Sequence, residues 1–290
     1  MNDYVIYTDS TTDLSPALVE KAGLQVIPME FTVDGKTYRN YPDCREMGAH
    51  EFYDKVRAGS MPTTSLVNAG QYAAIFEPEL KAGRDVLFIC FSSGLSGSFN
   101  CAKLAAAELG EKYPRRKIIA LDSLAASMGE GLLVYLAAME KQKGKSIDEV
   151  AQWVTDNRLH LAHWFTVDDL DHLRRGGRVS AAAAFFGGML NIKPVMHVDD
   201  EGHLIPVSKV RGRMASIDAM VAEMEKTAID PQAQTVFISH GDSPEDVQTL
   251  ADKVRDRLHP KEIFINPIGP IIGAHSGPGT LAIFFLATQR

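Results

Sequence analysis

Short apolar runs alternate with longer amphipathic stretches along the chain. YVIYT, DVLFICF and KIIALD are nearly continuous apolar segments bounded by polar residues, the pattern of strands buried on both faces. Between them, LSPALVEKAG, REMGAHEFYDKVRAG, GQYAAIFEPELKAG and the alanine-rich NCAKLAAAELGEK carry apolar residues at helical spacing. Several of these end at a glycine, a usual helix stop. LQVIPMEFTV followed by DGKTY predicts a strand and hairpin, since Asp34-Gly35 favours a tight turn. SMGEGLLVYLAAMEKQKGKS predicts a further helix. Alternation of this kind predicts a parallel sheet covered by helices.

The second half has a different rhythm. HLAHWFTV, TVFISHG and EIFINPI predict strands. IKPVMHVDDEGHLIPVSKV predicts two strands joined at Asp200–Gly202. DDLDHLRRGG, SAAAAFFGGML, MASIDAMVAEMEKTA and SPEDVQTLADKVRDRL predict helices, and GTLAIFFLA closes the chain. The expectation is an α/β protein of two domains, 1–160 and 161–290. The first carries a parallel sheet flanked by helices, and the second is smaller with a mixed sheet.

Composition narrows the class. The 290 residues are 45% hydrophobic and 23% charged, enough to fill a core. The formal net charge of −7 argues against a nucleic-acid partner, which usually meets a basic excess. The three cysteines form no C-x-x-C pair, which fits a reducing compartment and no disulfide framework. The N-terminus lacks a basic flank and a long apolar stretch, and no apolar run of about 18 residues occurs. Neither a signal peptide nor stable membrane insertion is therefore expected, and the location expected is the cytoplasm.

The chemistry gathers in loops. FSSGLSGSF, residues 91–99, places Ser92, Ser93, Ser96 and Ser98 with Gly94 and Gly97 between a predicted strand and a predicted helix. A helix start at the carboxyl edge of a parallel sheet suits an anion, whereas plain N-capping needs only one of the four serines. MPTTSLVNAGQY brings Thr63, Thr64 and Ser65 to a second such loop, so the two loops predict a shared polar cradle. GPIIGAHSGPGTLAIFF sets His275 and Ser276 in a stiff loop of glycine and proline, and that setting favours a ligand contact for the histidine. Arg174, Arg175 and Arg178 cluster beside Gly176-Gly177. The segment beyond them, with Phe185 and Phe186, reads either as tunnel wall or as ordinary core.

Other chemistries are weaker matches. Gly94-Leu95-Ser96-Gly97-Ser98 misses the G-x-S-x-G nucleophile elbow by one position, Ser98. The order Ser96…Asp242…His275 nevertheless keeps a serine hydrolase of a lipid-like ester as the alternative. No phosphate loop and no dinucleotide fingerprint is present. His160 and His163 would face opposite sides of a strand, so no metal is expected from them. No cofactor is expected. In the first loop, Asp9 or Ser10 is expected to hydrogen-bond its own turn.

Taken together, five segments in order resemble the DegV family: YTDSTTDLS, FSSGLSGSF, DSLAASMGEG, LRRGGRVSAAAAFFGGMLNIKPV with KVRGR, and GPIIGAHSGPGTLAIFF. The resemblance runs nearly end to end. It implies two α/β domains with a lipid tunnel between them, holding one long-chain fatty acid of C14–C18. By position, Thr64, Ser96 and His275 would hold the carboxylate, with Thr63, Ser65, Ser93, Gly94, Gly97 and Ser276 supporting. Arg178 would contact a separate fatty acid kinase. The carrier itself would be no enzyme. Its partner would form acyl-phosphate for phospholipid synthesis. The chain departs from the family at Leu66-Val67, where glutamine and proline are usual. The physics agrees, since a buried methylene contributes about 0.8 kcal/mol and a carboxylate leaving water needs donors.

Overall fold

A computed structural model describes residues 3–179 and 191–290. The predicted helix at 180–190, with Phe185 and Phe186, lies outside the described residues. Strands of the first 160 residues are β1 (Tyr4–Asp9), β2 (Gln25–Ile27), β3 (Met29–Val33), β4 (Lys36–Asn40), β5 (Thr63–Ser65), β6 (Asp85–Cys90) and β7 (Ile118–Asp122). Their helices are α1 (Pro16–Ala22), α2 (Ala49–Arg57), α3 (Ala69–Lys81), α4 (Ser98–Lys112), α5 (Met128–Gln142) and α6 (Ile147–Asn157). The later residues form β8 (Leu161–Thr166), α7 (Asp171–Arg175), β9 (Ile192–Val198), β10 (Leu204–Arg211), α8 (Arg213–Thr227) and β11 (Thr235–His240). They end with α9 (Pro244–Leu258), β12 (Glu262–Pro267), α10 (Pro270–Ser276) and β13 (Leu281–Leu286).

Three sheets result. β2-β1-β6-β7 is wholly parallel, as the apolar runs require: β6 is buried at every position. β4-β3-β5 is antiparallel, with its hairpin turning at Asp34 and Gly35, both at positive φ. β10-β9-β8-β13-β11-β12 is mixed, parallel only between β11 and β12. The smaller second part of the chain thus carries the larger sheet.

Two local expectations change. Residues 63–65 were expected in a loop, but they pair with β3 as an edge strand, Thr64 opposite Phe31. Three residues in the short stretch between Pro62 and the Asn68 helix cap carry no strand period, so only the partner strand makes them one. The glycine- and proline-rich loop around His275 is instead α10, started by Pro270 at its first turn and ended at Gly277 with φ +78.

Helix α5 joins the two large sheets. Leu132, Leu133, Val134, Ala137 and Ala138 are 0% exposed and share one apolar cluster with Ile6 and Leu87 of the parallel sheet and Phe165, Phe237 and Phe284 of the mixed one. A helix that is apolar all round must be buried all round. Its second residue, Gly129, has no room for a side chain: a Cβ there would collide with the His163 ring and Phe284. Gly131 lies just as tightly against the Thr12 carbonyl, where a Cβ would stand 2.7 Å from the oxygen. The GEG motif is therefore a packing device of α5.

Candidate functional site

A cavity of about 190 Å³ opens where the three sheets converge. Most of its wall is apolar, including Phe91, Leu95, Phe165, Ile268, Ile271 and Phe284. The hydroxyl loops meet in the same wall: Thr64 and Ser65 of β5, Ser96 and Gly97 of the loop before α4, and His275 and Ser276 of α10. Residues far apart in the chain are thus gathered by β3–β5 pairing, the β6–α4 turn and the docking of α10 against β3 and β5.

Within this group, Thr64 Oγ1 and His275 Nε2 lie 2.9 Å apart. Burial, then the Arg178 charge, pushes the His275 pKa down to about 4, so its imidazole is neutral at pH 7. Its Nδ1 side rests against the bare Cα of Gly176, where a Cβ would meet the ring nitrogen at 2.5 Å. Ser96 Oγ lies 3.0 Å from Ser98 Oγ and accepts the Ser98 N–H at 3.2 Å, the first amide of α4. The Ser96 hydroxyl thus serves the start of α4 while it lines the cavity. Ser276 Oγ is buried and has no partner among the described residues.

Not every expected residue joins the wall. Ser93 is exposed, and its N–H donates to the Asp122 carboxylate at 3.1 Å. Gly94 is pressed against the β9–β10 turn, where a Cβ would stand 2.9 Å from the Glu201 and Gly202 carbonyls. Its glycine serves a close approach of two backbones, not of a ligand. Ser92 completes that contact by donating to the Gly202 carbonyl at 2.8 Å. Thr63 lines an outer depression with His172 and Arg175, on the other side of Thr64, Arg178 and His275.

Arg178 lines both spaces. Its guanidinium donates to the Leu95 carbonyl at 3.2 Å and to the Gly176 carbonyl. A half-buried cation therefore stands in the same wall as the uncharged hydroxyls. Leu66, at the departure from the family pattern, lines the cavity and is 47% exposed.

Sequence reasoning missed the buried acids behind the wall. Asp9, Asp13 and Glu130 are buried, and burial raises the pKa of each, Asp13 to about 7. Two wall hydroxyls reach these acids: Thr11 lies between Asp9 and Glu130, and Ser127 donates to Asp13 at 2.6 Å. Asp13 also accepts the Gly269 N–H at 2.8 Å, tying the start of α10 to the first loop. Asp9 accepts the Thr11 N–H at 2.9 Å, as expected of that turn. No periodicity singles out Glu130, since its neighbours are those of an ordinary helix start.

The hydrolase arrangement is not assembled. Asp242 is held on the outside by Arg57 and by His50 at 3.0 Å, while His275 faces Thr64 and Ser96 faces Ser98. His50, Asp54 and Asp242 approach one another closely enough for a cation, but Arg57 already bridges both acids. His160 binds the Ala287 carbonyl and is remote in role from His163. Among the described residues no helix is long and apolar enough to cross a membrane.

Comparison with known proteins places the whole chain in one family and one fold. A family model described as the DegV family matches residues 3–288. A DegV domain-containing protein of Clostridium perfringens is 44% identical over 290 residues, covering 100% of this chain and 99% of its own. A DegV family protein from Thermus thermophilus, solved for its fatty acid binding, superposes with a TM-score of 0.89 at 29% identity, over 99% of this chain and 100% of its own. A DegV lipid binding protein from Thermotoga maritima superposes with a TM-score of 0.87 at 28% identity, over 99% of both chains.

Proposed function

The chain belongs to the DegV family, and from that premise we propose that it binds a long-chain fatty acid and presents the carboxylate to a separate ATP-dependent kinase. The supporting observation is the Thr64–His275 pair in the wall of a mostly apolar cavity. The acyl chain fills the apolar part, between residues of the proposed domains 1–160 and 161–290. The carboxylate lies at Thr64, Ser96 and His275, with Ser65, Gly97 and Ser276 around it.

Proton accounting favours this placement. A neutral His275 with its hydrogen on Nε2 donates to Thr64 Oγ1, and the Thr64 hydroxyl proton is then free for a carboxylate oxygen. Ser276 Oγ has its donor unspent. The Arg178 guanidinium supplies a positive field beside the head group and faces the outer depression as well. That position suits it to meet a partner while steadying an anion. The carrier performs no chemistry: the kinase transfers the phosphoryl group, and the acyl-phosphate passes to phospholipid synthesis. The proposal includes a cytoplasmic location.

Denaturing mass spectrometry of lipid extracted from the purified protein tests the binding. A C14–C18 fatty acid in near-equimolar amount is the expected result, and its absence under gentle purification overturns the proposal. Acyl-phosphate assays with and without the kinase test the division of labour. Product formed by this chain alone would refute it.

A further inference from the structure

The outer depression beyond Thr64 holds charge that the carboxylate clamp leaves unused. It encloses about 300 Å³. Thr64, Arg178 and His275 line both it and the apolar cavity, so these three residues stand between the two spaces. Thr63, His172 and Arg175 form more of its wall. Thr63 and Arg175 are exposed, and Met61 in the same lining is 69% exposed, so the depression is open to solvent. No carboxylate occurs among its described lining residues.

Neutral acceptors place both arginines. Arg175 Nη2 lies 3.2 Å from His172 Nδ1. A guanidinium only donates, so that nitrogen accepts and the ring is neutral. Burial, then the Arg175 charge, holds the His172 pKa below its ordinary value. The ring itself lies against the bare Cα of Gly277. Arg178 donates to the carbonyls of Leu95 and Gly176. Among the described residues, neither guanidinium pairs with a carboxylate.

Other arginines of the chain are held differently. Arg174, in the same turn of α7, pairs with Asp171 at 3.0 Å, and Arg57 pairs with Asp54 and Asp242. A carboxylate cancels the charge it positions, whereas a neutral acceptor leaves that charge whole. A helix end favours cations in its last turn, but it does not account for two uncancelled charges on one concave wall. Ser60, also in the lining, donates to Asp34 at 2.7 Å, and that acid is already paired with Lys55 at 3.1 Å.

We infer that the outer depression is a phosphate site, in which Arg175 and Arg178 hold the phosphate group beside the Thr64–His275 pair. Guanidinium forks match phosphate oxygens two at a time. Two sources share this chemistry: the head of a lipid whose carbonyl lies at Thr64 and His275, and a free phosphate. The first rests on the fatty-acid reading above, and the second does not.

Equilibrium binding of three probes tests the site: hexadecanoic acid, the ketophosphonate analogue of hexadecanoyl phosphate, and inorganic phosphate. In the analogue a methylene replaces the bridging oxygen, so the phosphonate extends beyond a carbonyl that takes the place of the carboxylate. The wild-type protein should bind the analogue at least about tenfold more tightly than hexadecanoic acid. Arg175→Gln should bring that ratio close to one. Arg174→Gln removes the same charge outside the depression and should keep the ratio. Arg175-dependent binding of inorganic phosphate without preference for the analogue supports the site and assigns it to a free phosphate. If hexadecanoic acid also fails to bind in that case, the fatty-acid reading falls and the site stands. An analogue preference that survives in R175Q or falls equally in R174Q overturns the inference and leaves the fatty-acid reading intact. So does hexadecanoic acid binding with neither an analogue preference nor phosphate binding. Failure of all three probes overturns both. A further measurement needs no variant. With 15N-labelled arginine, the analogue or inorganic phosphate should shift the Arg175 Nε resonance and hexadecanoic acid should not. A resonance that neither phosphorus probe moves counts against the site.

Discussion

Thr64 Oγ1 and His275 Nε2 stand 2.9 Å apart although 211 residues separate them in the chain. The contact joins an edge strand of the smallest sheet to the last turn of a short helix. It gives the cavity a polar point that neither segment has alone.

Replacing Thr64 by valine keeps the volume and removes the hydroxyl. Loss of a hydrogen bond to a charged group costs about 1.5–3 kcal/mol, which is roughly a 10- to 150-fold weaker affinity. Displacement of a fluorescent fatty acid measures it. Wild-type affinity in T64V would remove Thr64 from the clamp.

Ser96→Ala should act twice. Fatty acid retention should weaken by a similar factor, and stability should fall by about 0.5–1.5 kcal/mol because the first amide of α4 loses its acceptor. Binding titrations and urea melts separate the two effects. A stability loss with unchanged affinity would leave Ser96 an acceptor for the first α4 amide and nothing more.

The pH responses of His275 and Asp13 should oppose each other. The His275 pKa is lowered from 6.5 to about 4, so the folded chain binds fewer protons than the unfolded one in that window. Its contribution is complete above the window and is lost as pH falls through it. The Asp13 pKa is raised from 3.8 to about 7, so its contribution is complete below 3.8 and is lost as pH rises to about 7. Against Asp13→Asn, the wild-type protein should therefore lose relative stability between pH 5 and pH 8. Urea midpoints at those two values check it, and a constant difference would contradict the raised pKa. Titration of the His275 ring by NMR should give a midpoint near 4 in the ligand-free protein.

Gly129→Ala forces a Cβ into the His163 ring and Phe284. Overpacking of this kind costs about 1–3 kcal/mol. The cost should shrink in a His163→Ala background, because the nearer of the two obstacles is then gone. Equal costs in the two backgrounds, read from urea denaturation, would place the strain elsewhere.

Much of the fold is written locally. Continuous apolar runs such as DVLFICF and helix signals such as the Asn68 cap and Gly97–Ser98 start are short-range, and the structure keeps them as β6, α3 and α4. The exceptions share a cause. β5 exists because β3 offers it an edge, and α10 exists because Pro270 fixes its first turn while Asp13 receives the Gly269 amide. Neither fact has a period that a single segment displays.

The sequence by itself determined which segments would carry the hydroxyls and His275, because those residues cluster in short stretches between the apolar runs. Only the tertiary structure decided which of them face one cavity. It turned Ser93 to solvent, pressed Gly94 against the Gly202 turn and set Arg178 in the wall. It also buried Asp13, Glu130 and His163, whose protonation depends on distance from water and from one another. Such distances are set by the packing of α5 between two sheets, and a linear pattern of residues does not contain them.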